Sequence, residues 1–570
     1  MSKFQTIDIV IFVIYFFIVA GYGIYIYNKK KKKVTDTHDF FLAEGSLTWW
    51  AIGASLIASN ISAEQFIGMS GNGYSIGIAV AAYEWIAAIA LIIVAVWFIP
   101  VYLKNKIFTM PQFLKTRYNE TVALIMAIFW LFLYVFVNLT SILFLGSLAI
   151  NNLMGGSPMT FEIIMIALSV FAVIITLGGM KVIGFTDVIQ VSVLLIGGLA
   201  TTYIALTVVS KAFGFGENAL EGFNQLIKNA PDHFHMIFAK PVPGSPQHQV
   251  DNYLTVPGLL SYVAGIWIIN LNYWGCNQYI TQRALGADLQ TARKGILFAG
   301  FLKLLMPIIV MLPGIAAYVL HQKGLLQAEM SIGSKHGEVM SDNAYSAILG
   351  YLPNGLIGLS LAALTAAIVA SLAGKANSIS TIFTLDVYKK YIKKDADEKG
   401  MVWVGRVTIV AALIIAIAFT WNDTLGIGGQ GGFTYIQKYT GFISPGVFAM
   451  FILGMFWKRT TGAAAVVGVV TGFLMSVLFN IFATRWFGPE TILYTAYKNA
   501  DGVYEIPFQV CMGLAFGFTM LAMILISLGG PKINPKAFAL DKAMFKVSPG
   551  ILAMIVITLL IISMLYVRFW

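Results

Sequence analysis

Apolar runs of about 20 residues or more recur along the chain with short polar breaks between them, the length a helix needs to cross a bilayer. The pattern predicts spans near 7–27, 46–69, 76–102, 122–154, 161–180, 184–210, 255–282, 295–321, 344–391, 402–421, 428–456, 461–484, 506–529 and 548–569, about fourteen in all. The first run is too long for the apolar part of a signal peptide, and Lys29–Lys33 follow it instead of a small-residue cleavage site. It reads as an uncleaved first span. The longest loop, 211–254, has roughly 44 residues, so no separate soluble domain fits between spans. The expected fold class is all-α integral membrane.

Composition agrees. Of 570 residues, 58% are hydrophobic and 11% charged, where a soluble domain carries about 25% charged residues. The net charge of +11 does not imply a nucleic-acid partner, because the basic residues fall in alternate loops: Lys29–Lys33; Lys104, Lys106, Lys115 and Arg117; Lys181; Arg283, Arg293 and Lys294; Lys389–Lys399 with Arg406; Lys458 and Arg459; Lys532–Lys546. By the positive-inside rule these loops face the cytoplasm and both termini face outside, in the cell's inner (plasma) membrane. Cys276 and Cys511 lie far apart in apolar runs, which argues against a disulfide framework or a cysteine metal site.

Ionisable residues inside the spans are few: Glu64, Glu84, Asp187, Lys303, Lys375 and Lys438. A charge at that depth costs several kcal/mol and is expected to face a cavity or a partner. The second span, AIGASLIASNISAEQFIGMSGNG, is crowded at mid-depth by Ser55, Ser59, Asn60, Ser62, Glu64 and Gln65. The seventh carries a comparable break, IINLNYWGCNQY, with Asn270, Asn272, Tyr273, Asn277 and Gln278. Such density favours unwound helices whose freed carbonyls and amides bind an ion and a solute. Two interrupted spans five apart are the mark of an inverted repeat of five plus five helices. The alternative is ordinary polar packing between helices. In the ninth span Ala367, Ala370, Ser371, Gly374 and Lys375 share one helical face. Amides with Glu and Lys suit sugar hydroxyls, and Tyr273, Trp274 and Trp85 offer flat faces to a sugar ring.

The segments LAEGSLTWWAIGASLIASNISAEQFIGMSGNGYSIGIAVAAYEW, FVNLTS, FTDVIQV, NYWGCNQYITQR, FLKLLMPIIVMLPGIAAYV, ANSISTIFTLDVY, TYIQKYTGFISPG and LGMFWKRTT resemble the sodium/solute symporter family, on its sodium/glucose cotransporter branch. The resemblance runs nearly end to end. It implies a LeuT-like core of two inverted five-helix repeats with broken first helices over 46–456, preceded by an extra helix and basic loop in 1–45 and followed by three helices in 457–570. It implies sugar contacts at Asn60, Gln65, Glu84, Asn270, Lys303 and Gln437, with Tyr273 as the inner aromatic gate. Ala87 and Asn272 depart from the family's pattern near the sugar. Sodium, as coupling ion, would meet the carbonyls of Ala58, Ile61 and Ala367 and the hydroxyl of Ser371. Ala370 replaces a serine there. Asp187 matches the acidic residue of a second cation site, beside which Lys375 replaces a hydroxyl.

A long helical side chain points back toward its N-terminus, so Lys375 is expected to reach toward Ser371, to pair with Asp187 and partly to stand in for a cation. The function expected is sodium-coupled hexose symport by alternating access. A sodium-independent or proton-coupled carrier and a sugar-gated sensor or channel are the alternatives. An enzyme is not expected. His38, His233, His235, His248, His321 and His336 fall in loops or at span ends, where His233 and His235 are expected to be solvated, and no GxxxxGK[ST] phosphate loop is present.

Overall fold

The computed structural model describes residues 5–29, 47–154, 157–332, 338–421 and 432–570. The lysine run beyond Lys29, the loop through 46, and His38 and His336 lie outside the described residues. Eleven helices among the described residues are long and apolar enough to cross a membrane. The spans 46–69 and 255–282 are interrupted where their polar residues crowd, and 428–456 is likewise a chain of short helices. The first consists of Trp49–Asn60, a π-helical turn Glu64–Met69 and Ser70–Ser75. The second runs as a π-turn Ser261–Gly265, then Ile266–Cys276, an extended Asn277 and Gln278–Leu285. The third is Gly432–Gly441 followed by Ser444–Phe456. Polar side chains that compete for backbone groups interrupt the first two. Pro445 opens the last helix where it has no hydrogen bond to lose.

Contacts divide the chain into two compact units, which cut across the linear partition of 1–45, 46–456 and 457–570. The first comprises 1–78, 127–234 and 282–435. In it the Gly179–Ala212 helix packs on Leu356–Thr381, Trp49–Asn60, Met306–Gln322 and Thr6–Lys29. Close approach depends on missing side chains: a Cβ on Gly295 would lie 2.8 Å from the carbonyl oxygen of Trp49, and one on Gly197 would lie 2.8 Å from the Cβ of Ala363. The buried Asp8 of the first helix accepts the amides of Gly355 (2.7 Å) and Gly358 (2.9 Å), so a carboxylate from one span caps the positive end of another. Within the 211–254 loop, Ala219–Asn229 is a helix capped by the Asn218 side chain.

The second unit comprises 79–126, 235–281 and 436–570. Its Ile266–Cys276 helix packs on Ala82–Ile93 and Ser444–Phe456. Arg117, expected only as a basic loop residue, is fully buried and donates to the carbonyls of Gly454 (2.7 Å), Trp457 (3.0 Å) and Thr460 (3.0 Å). It thereby satisfies the acceptors that the end of the Ser444–Phe456 helix leaves open. A two-stranded hairpin, Tyr497–Lys498 with Tyr504–Glu505, forms within 485–505. Glu505 of that hairpin pairs with Lys438 at 3.7 Å, a structural partner for one of the charges seen in the spans.

Candidate functional site

In the first unit the break after Asn60 has a local cause. The Ile61 amide makes the last regular bond, to Ile57 O at 2.8 Å. The next amide, of Ser62, turns to the Gln65 side-chain oxygen at 3.1 Å, which also accepts the Ser62 hydroxyl. The Gln65 amide bonds Ser62 O. The donors that a continuous helix would send to the carbonyls of Ala58 and Ile61 are thus diverted, and both residues are buried. These are two of the three carbonyls expected to meet sodium, the third being that of Ala367. Ser371, from the unbroken Leu356–Thr381 helix, donates its hydroxyl to the neighbouring carbonyl, Ser59 O, at 3.0 Å. Ala367 lies one turn before it in the same helix, also buried. A hydroxyl of an intact helix therefore meets a carbonyl of a broken one, oxygen types that can replace part of the water shell of a hard monovalent cation.

On the same break, Asn60 Oδ1 accepts from the ammonium of Lys303. Lys303 closes the Leu289–Lys303 helix and is buried. Asn60, Gln65 and Lys303 are thus brought onto one segment and its immediate partner. Glu64 accepts the Ser141 hydroxyl at 2.8 Å.

Asp187 takes a different cation from the one expected. Its Oδ2 lies 3.8 Å from a terminal nitrogen of Arg283 and accepts the Ser55 hydroxyl, while Arg283 Nε donates to Ser55 Oγ at 2.7 Å. Arg283, read from sequence as a loop residue, is buried with Asp187, because the helix resumes at Gln278 and carries it back into the packed interior. The Ser55 hydroxyl stands between the two, accepting from the guanidinium and donating to the carboxylate. Lys375 donates to Ser371 Oγ at 3.1 Å, and Glu64 and Arg283 are among the charges that act on it. The ammonium reaches Ser371 as expected, while Asp187 lies with Arg283. Two buried oxygens beside this cluster, Ser59 Oγ and Asp187 Oδ1, have no hydrogen-bond donor among the described residues.

In the second unit, Glu84 sits buried in the first turn of Ala82–Ile93, a helix packed on the one bearing Asn270 and Tyr273. Asn270 Nδ2 bonds back to Ile266 O at 2.9 Å. Tyr273 is half-buried and meets Trp274 and Tyr279 edge-on, at 5.2 and 5.6 Å. Asn272 donates to Ser444 Oγ at 3.1 Å, a packing role. Trp85 is buried edge-on against Tyr566. Gln437 is half-buried on Gly432–Gly441.

His233, expected to be solvated, is buried: its Nε2 lies 2.9 Å from Tyr74 O and its ring stacks on Tyr318 at 4.1 Å. Among the described residues no group of three or more His, Cys, Asp or Glu side chains could hold a metal ion.

Known proteins extend the picture. The family model "Sodium:solute symporter family" matches residues 40–472. The sodium/glucose cotransporter of Vibrio parahaemolyticus is 42% identical over 572 residues, covering 99% of this chain and 98% of that protein. The human sodium/myo-inositol cotransporter 2 is 32% identical over 489 residues, covering 83% of this chain and 69% of its own length. The solved structure of a Na+-coupled sialic acid symporter, 20% identical, superposes with a TM-score of 0.72 over 93% of this chain and 99% of that one, which gives the chain the LeuT-like fold. The protein is a multi-pass membrane protein and belongs to the sodium:solute symporter family.

Proposed function

We propose that this protein is a secondary active transporter that couples the entry of sodium to that of a hexose by alternating access. The observation that carries the reading is the meeting of Ser371 with the interrupted Trp49–Asn60 helix, beside two carbonyls relieved of their helical donors. The likeness to a sodium/glucose cotransporter over nearly the whole chain supports both the ion and the sugar class. Sodium would be held by the carbonyls of Ala58, Ile61 and Ala367 and the hydroxyl of Ser371. Roles in sugar binding are proposed for Asn60, Gln65 and Lys303, and for Glu84, Asn270, Tyr273 and Gln437. Glu84 accepts from ring hydroxyls, Lys303 donates, and Gln65 does both. The transport core is proposed to span 46–456, in the plasma membrane, with both termini outside. No catalytic role is assigned.

One observation favours a second reading. The Lys375 ammonium already sits on Ser371 Oγ, so a fixed positive charge occupies the neighbourhood of the proposed sodium site and weakens coupling. Uptake of labelled hexose into proteoliposomes, with and without an inward sodium gradient, separates the two. Uptake that requires the gradient supports the symporter; equal uptake in both supports the uncoupled carrier. Uptake in neither, with sugar-evoked current, would leave a sensor or channel.

A further inference from the structure

The first helix, Thr6–Lys29, meets the rest of the first unit along a narrow stripe. Ile7, Val10, Ile14, Phe17 and Ile18 are exposed, while Asp8, Tyr15, Val19 and Gly23 are buried, at the spacing of one helical face. The helix packs on Gly179–Ala212 and Leu356–Thr381. Its register on the former is fixed near one end, where a Cβ on Gly23 would lie 3.5 Å from Val182 and 3.6 Å from Thr186. Tyr15 lies eight residues earlier, about 12 Å along the axis at 1.5 Å per residue. Its hydroxyl interacts there with the side chains of Gln190 and Asp187.

The stripe carries two polar side chains, and only one is satisfied. Asp8 accepts the amides of Gly355 and Gly358. Tyr15 Oη has no hydrogen-bond partner among the described residues, and neither have Gln190 Oε1, Gln190 Nε2 and Asp187 Oδ1. Tyr15 is 6%, Gln190 1% and Asp187 0% exposed. A buried polar atom left without a partner is costly, so four of them on three interacting residues call for a group that meets them. Their chemistry says which. Tyr15 Oη and Gln190 Nε2 offer hydrogens, while Gln190 Oε1 and Asp187 Oδ1 accept them. A cation would leave the Gln190 N–H donors unanswered, and Arg283 already brings a positive charge within 3.8 Å of the same carboxylate. Water donates and accepts at once, and a buried water makes about three such bonds.

We propose that Tyr15, Gln190 and Asp187 enclose a bound water, and that through it Tyr15 positions the Asp187 carboxylate for ion coupling. The water accepts from the Tyr15 hydroxyl and donates to Asp187 Oδ1 and Gln190 Oε1. Asp187 Oδ2 holds the Ser55 hydroxyl, and Ser55 lies one turn before Ala58 and Ser59 in Trp49–Asn60. Ser59 O is the carbonyl that Ser371 meets. With the water gone, the carboxylate is free to turn, and Ser55 and the helix end beyond it lose their anchor. Tyr15 is thus a positioning residue that does not touch the ion, on a helix outside the 46–456 segment assigned to transport. Its effect on the ion rests on the sodium symport proposed above; the water itself does not.

Tyr15→Phe keeps the ring and removes only the hydroxyl. In proteoliposomes made with the full chain it is expected to raise the half-saturating sodium for hexose uptake about threefold, the scale of one neutral hydrogen bond, with the rate at saturating sodium unchanged. A ring that served packing alone would show no such split. Gln190→Leu is expected to give the same rise, and Tyr15→Phe added to it to give no more, since both remove one water. An unchanged half-saturation in Tyr15→Phe overturns the positioning role, and additive shifts overturn the shared water. The same double-mutant cycle read from the unfolding temperature in detergent needs no sodium. If the unaltered protein takes up hexose equally with and without the gradient, sodium symport falls, and this cycle decides the water: non-additive losses keep it and additive losses remove it. A crystal structure that shows ordered waters is expected to place one on Tyr15 Oη, Gln190 Oε1 and Asp187 Oδ1. A cation at that point, or Tyr15 bonded directly to Gln190 with nothing between, overturns the proposal.

Discussion

The Ser371 hydroxyl donates to the carbonyl of Ser59 across 3.0 Å, tying an unbroken helix to the point where another comes apart. A hydroxyl that finds a carbonyl in one condition can turn its lone pairs to a cation in another, since Ser is donor and acceptor at once. Ser371→Ala removes one proposed sodium ligand and leaves the Ala58 and Ile61 carbonyls in place. The half-saturating sodium concentration for hexose uptake is expected to rise about tenfold, the scale of one lost interaction with a charged group. Sugar exchange at saturating sodium should change little. Sodium titration of uptake in proteoliposomes gives both numbers, and an unchanged sodium response would remove Ser371 from the ion's path.

Lys375 bears on the same oxygen from the other side. Its ammonium donates to Ser371 Oγ and so competes with a cation for that lone pair, besides repelling it. Lys375→Ser should tighten sodium binding and steepen the dependence of uptake on the gradient, by roughly tenfold in half-saturation for a charge lost at this distance. The substitution also removes a positive charge that interacts with the Glu64 carboxylate. The companion Lys375→Ser with Glu64→Gln therefore separates the ion effect from that of an uncompensated carboxylate. Weaker sodium response in both variants would mean that the ammonium assists the ion.

The reasons some of this was legible in the sequence are physical. An ionisable or amide side chain inside an apolar run is conspicuous, so Glu64, Asp187, Lys303 and Lys375 could be singled out before any coordinates, and the dense polar stretches at 55–65 and 270–278 announced their breaks. Arg283 escaped because it lies just past the end of an apolar run, where a cation reads as a loop charge; only the helix restarting at Gln278 carries it onto Asp187. Arg117 escaped for the same reason, its carbonyl partners being more than three hundred residues away in the chain. Asp8 stood near the start of a span, a place where acidic residues are unremarkable, and its capping of Gly355 and Gly358 depends on a tertiary contact that no local pattern encodes. The π-helical turns at Glu64–Met69 and Ser261–Gly265 likewise have no periodicity by which a sequence would reveal them.

Gly374 is a tighter constraint than its place in a small-residue stripe suggests. A Cβ there would lie 2.5 Å from Arg283 Nη2 and 2.8 Å from Ser59 Oγ. Gly374→Ala should push the guanidinium off Ser55 and lower stability by about 1–3 kcal/mol, as overpacked cores do. Thermal unfolding in detergent should show the loss, and uptake should fall with it. Gly517, inside the Phe508–Leu528 helix, where a Cβ meets nothing within 4 Å, is the control for packing.

Arg117 offers a stability change that leaves the ion site alone. Its three carbonyl bonds close the end of the Ser444–Phe456 helix. Arg117→Ala strands those acceptors, at about 1–3 kcal/mol for each buried group left unsatisfied. A lower unfolding temperature is expected with the sodium half-saturation of the surviving protein unchanged. A shift in sodium response as large as that of Ser371→Ala would show that this helix end is coupled to the ion after all.

Asp187 and Arg283 provide the sharpest test of how the charges are divided. Removing one member of a buried pair leaves the other uncompensated and costs about 3–5 kcal/mol, whereas removing both is often close to neutral. Asp187→Asn and Arg283→Gln should each impair folding and uptake, and the double substitution should recover stability well beyond the sum of the two. Lys375 discriminates the assignments. If Asp187 belongs with Arg283, as the 3.8 Å separation and the shared Ser55 hydroxyl indicate, then Lys375→Met should rescue Asp187→Asn poorly while Arg283→Gln rescues it well. The reverse order of rescue, read from unfolding temperature in a double-mutant cycle, would return Asp187 to Lys375 and make the lysine the resident cation of that carboxylate.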